Sequence, residues 1–292
     1  MSIRYKFPNK IENNYQSFLS LINLYQVLMQ LLIEDVYIDF SNTNYLEANL
    51  SALMGAIFDD TEVFVNINFE NFQPQVQTIL QKNDFLSNYG YTKIEDIYDT
   101  TIKYKKFKSN DTQPFYQYIN DELLTKHDFP KMSESFRKDF AKSLLEIFVN
   151  ADIHAHCDFV YTCGQYFPNK KDLYFTIVNT GTTIKQNVCK FFNREDISGT
   201  KAINWAVQKN TTTKQGISGG LGFETVRNFI RQNKGALQII SDDGYWSENV
   251  YGRINVKEFD KSFIGTVVNL KIKMDDTQNY KTEEEQIDEL FF

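Results

Sequence analysis

Strand-like and helix-like runs alternate through the first hundred residues, a pattern that predicts a layered α/β unit. Ile3–Phe7 reads as a short strand and Tyr15–Ile33 as a helix. Val36–Phe40 (VYIDF) is β-rich, Asn49–Phe58 has helical spacing, and Val63–Phe69 alternates strictly. Gln75–Gln81 reads as a helix with Pro74 at its start, where a missing N–H is tolerated. Thr101–Phe107 (TIKYKKF) is then expected to close this layer. Residues 13–33 carry no charge and are long enough to span a bilayer. Gln16, Ser20, Asn23 and Gln30 nevertheless fall on one helical face, so the segment reads as an amphipathic helix with an uncharged polar stripe.

Composition shifts over Lys105–Gln113 (KKFKSNDTQ), which suggests two domains, residues 1–108 and 112–292. In the second, Phe115–Leu124 and Ser133–His156 read as helices; Phe136, Phe140, Leu144, Phe148 and Ala151 recur every three or four residues, a buried face. Leu173–Asn179, Leu237–Ser241 and Val267–Ile272 read as strands, Lys201–Val207 and Gly222–Asn233 as helices, and the acidic tail Glu283–Glu289 as solvated.

Four short patterns carry the chemistry. Glu146 and Asn150 are four apart on the long helix and share a face. Gly216, Gly219, Gly220 and Gly222 hold four of the chain's 13 glycines and lead into a helix. Such a loop lets backbone amides approach an anion, and the helix N-terminus adds unpaired N–H groups, a combination suited to phosphate. The third is Ile177-Val-Asn179-Thr-Gly181 at a strand end, and the fourth Gly265-Thr266 entering the last strand. Walker A and Rossmann glycine loops are absent from the sequence.

In order and spacing, the region from about Phe115 to Lys273 resembles the ATP-binding domain of the GHKL superfamily: gyrase, Hsp-type chaperones, histidine kinases and MutL. The E-x-x-x-N-A helix motif matches Glu146, Asn150 and Ala151, with His154 where members carry a His or an aromatic; the glycine-lid motif matches Gly220, Leu221, Gly222 and Phe223; the late G-T matches Gly265 and Thr266. The resemblance implies a Bergerat-type α/β sandwich with a mostly antiparallel sheet and ATP between sheet and helices. It implies Asn150 as the Mg²⁺ ligand and Glu146 as the base on the attacking water. Gly216, Gly219, Gly220, Leu221 and Gly222 would cradle phosphates, Lys214 would reach the γ-phosphate, and Asn179, Gly181 and Thr266 would hold the adenine. The family's D-x-G-x-G stands here as Asn179-Thr-Gly181-Thr-Thr183.

More faintly, the N-terminal hundred residues (the unit 1–108) resemble a STAS domain, the fold of anti-sigma-factor antagonists, on Val36-Tyr-Ile-Asp-Phe-Ser41 and Tyr45-Leu-Glu-Ala-Asn-Leu50. Antagonists place a phosphorylatable Ser at that helix start; Glu47, Ala48 and Asn49 stand there, so a module for protein contacts is expected without a phospho-switch.

A net charge of −7 argues against a general nucleic-acid binder. Three cysteines, Cys157, Cys163 and Cys189, give no disulfide framework, and the N-terminus lacks a signal-peptide core, so a cytoplasmic protein is expected. His154, His156, Cys157 and Cys163 lack zinc spacing: on a continuous helix the two histidines point about 200° apart. His127 precedes Pro130, which breaks any long helix that a sensor kinase would need for its acceptor. The expectation is a Mg-ATP protein whose nucleotide state, through hydrolysis, switches contacts with a protein partner, alone or as an ATP-dependent homodimer. A Ser/Thr protein kinase of the anti-sigma type and a non-hydrolysing nucleotide-dependent module are the alternatives. Stress signalling, a transcriptional switch and phage defence are all compatible with either.

Overall fold

A computed structural model describes residues 2–209, 211, 213 and 221–291. The first part runs β1 (Ser2–Lys6), β2 (Lys10–Ile11), α1 (Tyr15–Leu28), β3 (Glu34–Asp39), β4 (Tyr45–Leu46), α2 (Ser51–Thr61), β5 (Val65–Glu70) and α3 (Pro74–Lys82). The second runs β6 (Thr101–Lys108), α4 (Thr112–Tyr118), β7 (Lys131–Met132), α5 (Glu134–Asn150), β8 (Phe159–Phe167), β9 (Asp172–Thr180), α6 (Ile184–Phe192), α7 (Gly199–Ala206), α8 (Leu221–Gln232), β10 (Ala236–Glu248), β11 (Ile254–Lys273), β12 (Asn279–Tyr280) and α9 (Glu283–Phe291).

Two main sheets result. β1, β3 and β5 form a parallel sheet in the order β1-β3-β5. Parallel pairing needs crossovers, and the intervening helices supply them. Five strands form an antiparallel sheet in the order β10-β11-β9-β8-β6, so the chain is a mixed α/β protein. β2 pairs with β4 and β7 with β12 as short two-stranded ribbons.

The strand over Thr101–Lys108 does not close the N-terminal layer as expected. It pairs with β8 at the edge of the antiparallel sheet, Phe107 opposite Val160. The sequence of a single strand says which side chains alternate, not which sheet takes its backbone bonds.

Each face of the antiparallel sheet has its own core. One face packs Val160, Phe175, Ile177, Val268 and Leu270 against Phe115, Phe140, Leu144 and Phe148 from the α4 and α5 helices. The other packs Tyr161, Cys163, Val178, Ile240, Phe263 and Val267 against α1 and α2, through residues such as Phe18, Leu21, Tyr25 and Met54. The parallel sheet lies beyond those helices in the same cluster, with Val36 and Ile38. The N-terminal layer and the antiparallel sheet therefore share one apolar interior.

A polar joint runs through that shared interior. Asn49, fully buried, donates to Thr176 Oγ1 at 2.8 Å and to Asn13 Oδ1 at 2.7 Å. Asn269 donates to Asn13 Oδ1 at 2.9 Å and to Gln238 Oε1 at 2.7 Å. Glu47 accepts the Asn13 backbone N–H at 2.6 Å. Residues 47–49 are thus turned inward, Ala48 N–H donating to Gln165 Oε1 of β8 and Asn49 to Thr176 of β9.

α1 ends at Leu28, short of the expected Ile33. Ile33 adopts φ 55° and is the last residue of the connection into β3. No helix among the described residues is long and apolar enough to cross a membrane.

Candidate functional site

α5 builds the first wall. The Ser133 hydroxyl caps it, accepting from Phe136 N–H at 3.1 Å. Phe140, Leu144 and Phe148 face the core, and Glu146 and Asn150 lie along the edge of that stripe, one turn apart. Both line a cavity of about 270 Å³ between α5 and the sheet. Among the described residues neither side chain has a hydrogen-bond or ion-pair partner, so a carboxylate and an amide face the cavity uncommitted.

The helix does not continue to His156. After Asn150 it widens into a π-turn over Ala151–Ala155, and His156 turns left-handed at φ 51°. His154 lines the cavity, its Nδ1 at 3.3 Å from Thr213 Oγ1, whereas His156 is exposed. Burial pushes the neighbouring Cys157 thiol up to about 11 and raises Cys163 further, which keeps both sulfurs protonated and disfavours them as metal ligands.

β9 and β11 build the facing wall. Asn179 stands directly opposite Thr266, and Ile177 opposite Val268; all four line the cavity. The Asn179 amide donates to Thr180 O at 3.1 Å, which leaves its Oδ1 free to accept. Ser241 gives its hydroxyl proton to Gly265 O at 2.8 Å and lies 3.0 Å from Thr266 Oγ1. The Thr266 proton is then the one in that contact, and Thr266 also offers the cavity an acceptor. Ser241 further accepts from Ile184 N–H at 3.0 Å, tying α6 to the same point.

Two glycines make this geometry fit. A Cβ on Gly265 would stand 2.1 Å from Asn179 O, so the β9–β11 approach at the site needs a bare backbone. Gly181, at φ 112°, lets β9 turn beneath the π-turn, where a Cβ would stand 2.3 Å from Ala155 O; Thr182 N–H then donates to that oxygen at 2.8 Å. Thr183 closes the turn that follows Gly181. It caps α6 in a capping box with Gln186 and donates to Asp242 Oδ2 at 3.1 Å. α6 then carries Ile184, Asn187 and Val188 to the cavity.

α7 adds Trp205 and Ala206, and α8 adds Phe223. Leu221 and Gly222 open α8 rather than ending a loop. Glu248, nearly fully buried, pairs with Arg227 at 2.8 Å and with Arg231, and Arg227 donates to Val207 O at 2.6 Å; these bonds fix α8 against β10 and α7. Lys214, Gly216, Gly219 and Gly220 lie outside the described residues.

The structure thus brings Glu146, Asn150, Asn179 and Thr266 together, with Gly181 behind them. Sequence reasoning missed Trp205 and Asn187. Asn187 follows the Thr183 cap by one turn, a signal legible only once α6 is recognised, and Trp205 is one of only two tryptophans. No protein-family model matches the chain, and no curated protein matches its sequence.

Proposed function

We propose that the chain is a GHKL-type Mg-ATP protein that hydrolyses ATP and uses its nucleotide state to switch contacts with a protein partner. In this reading the antiparallel sheet and its helices are a Bergerat-type domain, and the N-terminal layer is STAS-like. The observation that carries it is the convergence on one cavity of Glu146, Asn150, Asn179 and Thr266, which come from three separate elements.

The donor set fits the ligand. Asn179 Oδ1 and Thr266 Oγ1 are acceptors on adjacent strands, matched to an exocyclic amino group with its two N–H bonds. Ile177, Val268, Ile184 and Val188 give apolar walls for a planar ring. Across the cavity, Asn150 offers the hard oxygen that Mg²⁺ takes, and Glu146 an uncommitted carboxylate. When bound, Mg-ATP supplies the phosphoanhydride bond and the metal charge that neutralises its phosphates. Asn150 holds the ion, and Glu146 orients a water and takes its proton. Among the described residues that carboxylate has no partner to compete with the water.

Partner contact is assigned to the N-terminal layer, where Leu32, Ile33 and Val63 are 76%, 92% and 73% exposed. Three free cysteines suit a reducing, cytoplasmic setting. The test is phosphate release from labelled ATP with Mg²⁺. Release that Glu146→Ala abolishes while nucleotide binding survives supports hydrolysis. Label found instead on a second protein points to a kinase, and binding without either points to a non-hydrolysing module.

A further inference from the structure

Trp205 lines the cavity beside the two acceptors but supplies no hydrogen-bonding atom to them. It sits in the last turn of α7, part-buried. The other tryptophan, Trp246, is fully buried, and its indole N–H donates to Asn204 Oδ1 at 3.2 Å. Trp205 instead packs against Phe191 and Phe192 at the end of α6, with ring centroids 5.6 Å and 5.4 Å away. Those two phenylalanines are 46% and 45% exposed. Three large rings on a rim, two of them nearly half in water, contribute little to a core. They do hold one indole against the cavity.

The position of Trp205 says which part of a nucleotide it would meet. α6 follows Asn179 within five residues, and its Ile184 and Val188 share the cavity wall with Trp205. Glu146 and Asn150 belong to α5, with which α7 makes no substantial packing among the described residues, whereas it packs on α6, β10 and β11. Trp205 is therefore grouped with the two acceptors, not with the metal and water residues.

We infer that Trp205 is a positioning residue for the nucleobase, held in place by Phe191 and Phe192. This rests on the Mg-ATP reading and deepens it by assigning base affinity and base choice to different residues. An aromatic face stacks on any base, so Trp205 adds affinity without discrimination. Asn179 and Thr266, as acceptors, favour a base that turns an amino group toward them, as adenine does at its 6-position, over one that turns a carbonyl there, as guanine does.

Calorimetric titrations of the full chain with Mg-ATP, Mg-GTP and Mg-tripolyphosphate test this, with tryptophan emission followed in parallel. Trp205→Ala should weaken Mg-ATP about tenfold, a loss in the range of one aromatic–base contact. Trp205→Phe should recover most of it. The ATP-to-GTP preference and the affinity for Mg-tripolyphosphate, which has no base, should stay as in the wild type. The emission change on adding Mg-ATP should persist in Trp246→Phe and vanish in Trp205→Phe. Equal weakening of Mg-ATP and Mg-tripolyphosphate in Trp205→Ala would make the residue merely structural and overturn the inference. Unchanged Mg-ATP binding in that variant would overturn it too. A wild type that binds no Mg-ATP would remove the nucleotide reading itself, and this inference with it.

Discussion

Asn179 and Thr266 face one another across two antiparallel strands, and each presents an oxygen acceptor to the same cavity. The pairing depends on register. A slip of one residue in either strand would turn its side chain to the opposite face, toward the N-terminal layer, and part the pair. Asn179→Leu keeps the volume and removes the acceptor. It should weaken Mg-ATP about tenfold, as expected for an amino group left without its partner. It should leave Mg-tripolyphosphate binding unchanged, by calorimetry. Equal binding of ATP by the variant and the wild type would remove Asn179 from the site.

The glycines that frame this pair have no room for a methyl group. Gly265→Ala would place a carbon 2.1 Å from Asn179 O, and Gly181→Ala one 2.3 Å from Ala155 O. Backbone atoms cannot move aside as a flexible side chain can, so each change should cost about 1–3 kcal/mol. Gly90 is the contrast. It also has a positive φ, 83°, but nothing lies within 4 Å of its missing Cβ. Gly90→Ala should cost only the left-handed strain, about 1 kcal/mol. Urea denaturation of the three variants would separate contact from strain, and equal losses at all three positions would refute the argument.

The N-terminal layer should not be removable. It covers Tyr161, Val178, Phe263 and Val267 on one face of the antiparallel sheet. A chain starting at Thr101 would expose that face and strand the amides of buried Asn269 and part-buried Gln238, which now bond Asn13. Size-exclusion chromatography and dye binding should show aggregation or a loosened state. A monomeric, cooperatively melting fragment would show that the two parts are independent domains.

Within the same joint, burial raises the Glu47 carboxyl above its ordinary value, against the opposing pull of the Asn13 hydrogen bonds. A carboxyl that titrates higher when folded favours the folded state most when protonated. Its contribution is full below the unfolded value of about 4.5 and is lost as pH rises through the folded value. Other carboxylates run the opposite way: hydrogen bonds from Thr101 and Thr100 lower Asp96 despite its burial. The comparison must therefore be between the wild type and Glu47→Gln. On going from pH 7 to pH 5 the wild type should gain stability relative to the variant. Parallel stability profiles for the two would remove Glu47 from the balance.

Much of this arrangement was legible in the sequence, and the exceptions have physical causes. The apolar period of Phe140, Leu144 and Phe148 placed α5, and with it the shared face of Glu146 and Asn150. The strand-end pairs Asn179-Thr180 and Gly265-Thr266 were recognisable as patterns, but only the register showed them opposite each other. β8 was not seen, because it is buried along nearly its whole length and so lacks the alternation of a half-exposed strand. β6 is legible as a strand but its sheet is not, since alternation carries no information about the partner strand. The π-turn after Asn150 has no periodic signature, and it is what separates His154 from His156. Trp205 depends on a tertiary contact between α6 and α7 that no local pattern encodes.

Under the proposed function, Asn150 and Glu146 serve bound Mg-ATP from one helix face. Calorimetric titration of ATP, with Mg²⁺ and with the metal chelated, into the wild type, Asn150→Ala and Glu146→Ala tests it most directly. The wild type should bind ATP in a Mg²⁺-dependent way, Asn150→Ala should lose that dependence, and Glu146→Ala should keep it. ATP binding that Asn150→Ala leaves unchanged, or no ATP binding by the wild type, would contradict the account.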